Sequence, residues 1–221
     1  MYVAAAYRMA PDDVARQLAA ARSGNLVTID PDHDWPVATL LPWTFLPDPD
    51  RLISHVSRVN PQWRHTTKTA LVILDQWQAP VGSQWQTAAA QGQAVPTLNY
   101  ETIHVWGDLT ADDSEAAVMT SWEQMLRAHD SDVQLADLDP DYLSRQARAT
   151  VALTLTITAI EAKSKLSQTE SSTDLSRLAD DSATGCPVLS QRLREVSLPY
   201  VTRREAAVAA ARLSRSTPEP G

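Results

Sequence analysis

Among the side chains able to do chemistry, one histidine stands apart by its surroundings. His65 lies in the stretch Val59 to Leu74, V-N-P-Q-W-R-H-T-T-K-T-A-L-V-I-L. Asn60-Pro61 is a turn signal, and the aromatic Trp63 follows it. Arg64 and Lys68 flank the imidazole, and Ala70 to Leu74 reads as a buried strand. A titratable, metal-capable group then sits beside two cations at the mouth of a strand. Sites are often built this way, because a rigid element holds the groups that emerge at its end. No second histidine lies at chelating distance, so a zinc site is not supported. A single imidazole suffices for heme, where the porphyrin fills four positions and the sixth stays open. A solvated loop histidine is the bland alternative, and spacing alone leaves it open.

The other candidates have adequate structural readings. His33 sits in a turn. His129 ends a helical pattern, where a cation suits the dipole. His55 and His104 lie on strands, where a lone histidine is more often a hydrogen-bonded packing residue than a ligand. Cys186-Pro187 is a conceivable heme anchor but falls between two helical patterns. No C-x-x-C-H is present, which excludes covalent heme attachment. G-x-G-x-x-G, the P-loop and G-x-S-x-G are all absent. Lys163 and Lys165, in K-S-K-L-S-Q, leave a strand on one face. They could meet phosphate or propionate groups, or be a solvated strand end.

The elements that must position these groups are mostly strands. A helix is expected from Pro11 to about Arg22, with Val14, Leu18 and Ala21 on one face. Leu26 to Ile29 and Pro36 to Trp43 form a hairpin across Asp30-Pro31-Asp32-His33-Asp34. Leu52 to Arg58 alternates, and Thr69 to Leu74 is apolar. Ala79 to Ala94 reads as a long loop, a feature usually functional or mobile. Val95 to Leu109 is a long strand. Thr110-Ala111-Asp112-Asp113 resembles a capping box before a helix. A short helix follows Asp139-Pro140, and Thr150 to Ile160 alternates clearly. Ser171 to about Val196 is helical, with a break at Gly185-Cys186-Pro187. A further helix runs from Arg203 through Ala211, ahead of a disordered end. Several strands with hairpin turns and clustered helices predict an α+β fold, a closed β-barrel with peripheral helices. Residues 1–203 form one domain in this reading, and 204–221 a tail.

Composition bounds the function. The chain has 221 residues, enough for a sizeable core, and a formal net charge of -8. An acidic chain without a basic stripe is a poor nucleic-acid binder. No apolar run approaches the ~20 residues of a membrane span. The N-terminus lacks the pattern of a signal peptide, and the one cysteine excludes an internal disulfide framework. These features predict a cytoplasmic protein.

Several motifs resemble those of a known family. Met1-Tyr2-Val3 with Tyr7-Arg8-Met9, Pro36-Val37-Ala38-Thr39 with Leu41-Pro42, and Asn60-Pro61-Gln62-Trp63 are similar to PaiB-type proteins. So are Ala70-Leu71-Val72-Ile73, Val95-Pro96-Thr97-Leu98-Asn99-Tyr100, His104 with Gly107, and Lys163-Ser164-Lys165-Leu166-Ser167-Gln168. The resemblance runs in register to about residue 168. It implies an FMN-binding split barrel, normally homodimeric and described as a transcriptional regulator.

The departures point to another branch. The family's Q-G-P and S-P-S-W-Y motifs are replaced by Asp75-Gln76-Trp77-Gln78-Ala79-Pro80 and Ser83-Gln84-Trp85-Gln86. K-S-K-L-S-Q continues with Thr169 instead of Asn. His65 and Lys68 are gained. Q-W-R-H-x-x-K-T-A-L-V resembles the heme-dependent piperazate synthases, which close N5-hydroxy-L-ornithine to L-piperazic acid through an N–N bond. That resemblance implies non-covalent heme b with His65 as its iron ligand. Lys68 is the further catalytic candidate, and Trp63, Arg64, Lys163 and Lys165 are the cofactor-binding candidates. FMN is the alternative cofactor, and a heme sensor without turnover the alternative role.

Overall fold

The computed structural model describes residues 1–66, 69–82, 86–87, 92, 95–129 and 131–216. Its strands are β1 (Ser23–Ile29), β2 (Pro36–Pro42), β3 (Thr44–Leu46), β4 (Arg51–Ser57), β5 (Ala70–Val81), β6 (Thr97–Asp112) and β7 (Thr150–Lys165). Its helices are α1 (Pro11–Ala20), α2 (Glu115–Ala128), α3 (Pro140–Arg148), α4 (Ser172–Gly185), α5 (Pro187–Arg192) and α6 (Leu198–Ser216). A 3₁₀ turn, Pro61–Arg64, precedes His65.

The strands form one sheet in the order β2-β1-β5-β6-β7-β4-β3. Its two edges, β2 and β3, are consecutive in the chain and joined through Trp43. The sheet must therefore curl until its ends approach, as in the expected split barrel. Trp43 is fully buried at that join, and its Nε1 donates to Gly24 O at 3.2 Å. The β1–β2 hairpin pairs Ser23 with Pro42 through Ile29 with Pro36. β4 lies antiparallel to β7, from Arg51 opposite Thr156 to Ser57 opposite Thr150. On the other side of β7, Gly107 of β6 allows close approach: a Cβ would collide with the backbone carbonyl of Thr156.

The chain divides into two compact units. One comprises Met1, Met9–Gln76 and Thr102–Ala162. Its core includes Leu26, Leu52, Val72, Leu74, Ile103, Val105, Leu153 and Leu155. These inward positions alternate with outward ones, as a pleated strand requires. Burying each contributes roughly 1.5–3 kcal/mol. The other unit comprises Tyr2–Arg8, Trp77–Glu101 and Lys163–Gly221. Leu166, Leu175, Leu178, Leu189, Leu193 and Val201 form its core.

Several boundaries differ from expectation. β5 continues to Val81, so its end replaces the start of the expected loop. The reason is a period of two hidden among polar residues: Ala79 and Val81 are buried while Gln78 and Pro80 are exposed. Gly82 is described, but most of the remaining loop lies outside the described residues. β7 extends to Lys165, carrying Lys163 and Lys165 on the strand itself. The cap of α2 is Ser114, whose side chain accepts from Ala117 N, not a box beginning at Thr110. β6 runs through Asp112 instead. The C-terminal helix starts at Leu198 and continues to Ser216, and residues 217–221 lie outside the described set. No described helix is long and apolar enough to cross a membrane.

Candidate functional site

Asn60 begins the local order. Its Oδ1 accepts from Gln62 N at 2.9 Å, capping the 3₁₀ turn, and its Nδ2 donates to Thr39 Oγ1 at 3.2 Å. Pro61 at the first position suits that turn, because its missing N–H would have no partner anyway. Gln62 then points inward with 1% exposure. Its Nε2 reaches Leu26 O at 3.0 Å, Val37 O at 3.1 Å and Thr28 Oγ1 at 3.1 Å. The turn is thereby pinned to both strands of the first hairpin.

Trp63 adds a second pin. Its indole packs against the core and its Nε1 donates to Arg58 O at 3.0 Å. Arg64 lies over the indole, its Cζ 4.4 Å from the ring centroid. Trp63 thus braces the turn, while Arg64 and His65 border an open cavity.

That cavity measures about 500 Å³. Val27, Ile29, Leu71 and Trp106 give it apolar walls, with Thr28, Arg64 and His65 as polar members. The His65 ring is half-buried, and its Nδ1 lies 3.3 Å from Thr28 Oγ1. With the proton on Nδ1, the ring donates to Thr28 and offers the Nε2 lone pair. Nε2 makes no hydrogen bond within the described residues. Neither Thr28 nor Trp106 stands out in the sequence, since both lie on strands distant from His65 in the chain.

The donor set suits one class of group. No cluster of three or more His, Cys, Asp or Glu that could hold a metal occurs among the described residues. A bare divalent ion would lack ligands here. A macrocycle that brings four of its own needs one imidazole, apolar walls and a cation at the rim. His65, the Val27–Ile29–Leu71–Trp106 surface and Arg64 meet those needs.

Lys68 lies outside the described residues. Lys163 and Lys165 belong to the other unit. The Lys163 ammonium sits 5.9 Å from the ring centroid of Tyr7 and 5.5 Å from that of Tyr100. Lys165 Nζ donates to Thr97 Oγ1 at 2.5 Å and Leu98 O at 2.7 Å. Burial lowers its pKa. Lys165 therefore orders β6 locally, and Lys163 keeps its ammonium free of carboxylates among the described residues.

The remaining histidines behave differently. His33 stacks on Trp35 with centroids 4.6 Å apart. His129 caps α2, and its Nε2 is 2.8 Å from Thr44 Oγ1. His104 lies beside Trp106, and burial lowers its pKa.

The curled sheet, with an imidazole-bearing cavity against its first hairpin, defines the class as a split β-barrel. Residues 1–159 match the family model FMN_bind_2, "Putative FMN-binding domain". The chain belongs to that FMN-binding domain family. Among solved structures it is similar to the flavocytochrome Anf3 from Azotobacter vinelandii, with 14% identity and a TM-score of 0.54 over 72% of this chain and 68% of that one. It is also similar to the FAD and heme binding protein from Mycobacterium smegmatis, with 16% identity and a TM-score of 0.52 over 72% and 73%. A conserved hypothetical protein, Rv2991 from Mycobacterium tuberculosis, gives 12% identity and a TM-score of 0.50 over 75% and 91%. At these identities the likeness establishes the fold. No curated protein sequence matches.

Proposed function

We propose that the protein is a heme-dependent cyclase that converts N5-hydroxy-L-ornithine to L-piperazic acid with loss of water, acting as a homodimer. One observation carries the heme assignment: His65 has its Nδ1 tethered by Thr28 and its Nε2 unengaged at the edge of an apolar cavity. The motif resemblance around that histidine carries the substrate.

His65 Nε2 would hold the iron, Arg64 would meet a propionate, and Trp106 with Leu71 would cover a face of the macrocycle. Bound iron supplies Lewis acidity that weakens the N–O bond of a hydroxylamine. The reaction needs no outside oxidant. The α-amine nitrogen forms a bond to N5, the N–O bond breaks with its electron pair on oxygen, and a proton from the amine leaves with that oxygen as water. The chain contributes mainly position. A six-membered closure whose ends are held together gains ~7 kcal/mol or more over an untethered encounter.

Family membership supports a second reading, bound FMN. Lys163, with no carboxylate partner among the described residues, would then face the phosphate. An absorption spectrum of the purified protein separates the two. A Soret band supports heme, and paired flavin bands without one support FMN. Incubation with N5-hydroxy-L-ornithine then distinguishes the cyclase from a heme sensor, which leaves that substrate unchanged.

A further inference from the structure

A second cavity lies in the first unit and is lined by none of the His65 site's residues. It measures about 670 Å³ and is lined by side chains of β4, α2, α3 and the segment between the helices. Trp122, Met125, Val133, Leu135, Leu138 and Leu143 make its walls apolar. Val133 and Leu138 remain 48% and 37% exposed, so the helix pair does not close over its own apolar surface. The volume falls in the ~300–1,000 Å³ range of small-molecule sites, which pair apolar walls with a few placed polar groups.

His55 is the placed polar group. Its ring stands edge-on to Trp122, with centroids 6.2 Å apart. Its Nδ1 is buried without a hydrogen-bond partner. A proton there would be stranded, which favours the tautomer with the proton on Nε2. Nε2 has no partner within the described residues either, but unlike Nδ1 it is not sealed from solvent. His129, also at the cavity, is already hydrogen-bonded with Thr44. Among the described residues no Lys or Arg lines the cavity, so an anion would lose its hydration without a counter-charge. Burial also lowers the His55 pKa, which favours the neutral ring.

We propose that this cavity is a second binding site, for an uncharged and largely apolar molecule that presents one hydrogen-bond acceptor to His55 Nε2. The occupant is neither of the cofactors considered for the His65 site, because both carry anionic groups that nothing here would neutralise.

Benzophenone is a suitable probe: two apolar rings, one carbonyl acceptor, and photochemical insertion into neighbouring C–H bonds. Irradiation of the full-length protein with increasing benzophenone, followed by peptide mapping, should give saturable labelling of peptides containing Met125 and Leu143. Diphenylmethane, which lacks the carbonyl, should compete about five-fold more weakly, the worth of one hydrogen bond. Val133→Arg changes a half-exposed wall residue and should weaken labelling at least ten-fold without altering the thermal midpoint. His55→Phe should remove the preference for the carbonyl. Non-saturable or scattered labelling would overturn the site, as would equal binding of the two probes or indifference to Val133→Arg. So would a second copy of the chain covering the cavity, seen as labelling only below the concentration at which copies associate.

Discussion

Thr28 Oγ1 stands between two side chains of one turn, 3.3 Å from His65 Nδ1 and 3.1 Å from Gln62 Nε2. Thr28 is itself buried near the C-terminal end of β1. A hydroxyl oxygen can accept both N–H groups at once, so a rigid strand fixes both the tautomer and the rotation of the imidazole. Thr28→Val keeps the shape and removes the acceptor, while Gln62 retains two carbonyl partners. Losing such an orienting bond typically weakens metal binding by about 10–100-fold. Hemin titrations of wild-type and Thr28→Val protein should show at least the lower end of that range with folding unchanged. Equal affinities would mean that Thr28 does not orient the ligand.

A second prediction concerns stability in the other unit. Glu101 is 1% exposed and accepts from Arg192 Nη2 at 2.8 Å, Arg192 Nε at 3.0 Å, Ser164 Oγ at 2.7 Å and Trp77 Nε1 at 3.0 Å. This carboxylate ties β5, β6, β7 and α5 together. Glu101→Ala removes the buried carboxylate from a guanidinium that also pairs with Glu195 at 3.0 Å, and should cost up to about 3–5 kcal/mol. Urea denaturation measures it, and a change below about 1 kcal/mol would show that Glu195 and water suffice for Arg192.

The pH dependence follows from two histidines. Burial lowers the pKa of both His55 and His104 below their ordinary 6.5. Asp75 and Glu161 offset part of the effect at His104. Unfolded, each ring takes up a proton near 6.5; folded, each resists until lower pH. Their contribution to stability is therefore fully present above about 6.5 and is lost as pH falls through the folded values. The urea midpoint should fall between pH 7.5 and 5.5, above the range where carboxylates titrate. His55→Gln with His104→Gln should flatten that fall. An unchanged slope would show that both rings are solvated in the folded protein.

Sequence alone revealed what depends on local pattern. The alternation at Val151, Leu153 and Leu155 specified a strand, and Asp139-Pro140 marked a helix start that Asp139 caps through Tyr142 N at 2.6 Å. The turn at Asn60-Pro61 was equally readable. Pairs distant in the chain were not. Thr28 and His65 are 37 residues apart, and Glu101 and Arg192 are 91 apart. Each partner looks ordinary in its own strand or helix. The continuation of β5 to Val81 was obscured because Asp75, Gln76 and Gln78 interrupt its apolar run. The second cavity needed α2 and α3 placed in space, since their apolar residues read simply as core faces.

The central claim is that His65 holds heme and that the loaded protein closes N5-hydroxy-L-ornithine. Wild-type and His65→Ala proteins, each supplied with hemin, should be compared by absorption spectrum and by piperazic acid formed. The expected result is a Soret band and product for the wild type, and loss of both for His65→Ala. A His65→Ala protein with a normal Soret band and full product formation would contradict the claim, as would a wild-type protein showing only flavin bands.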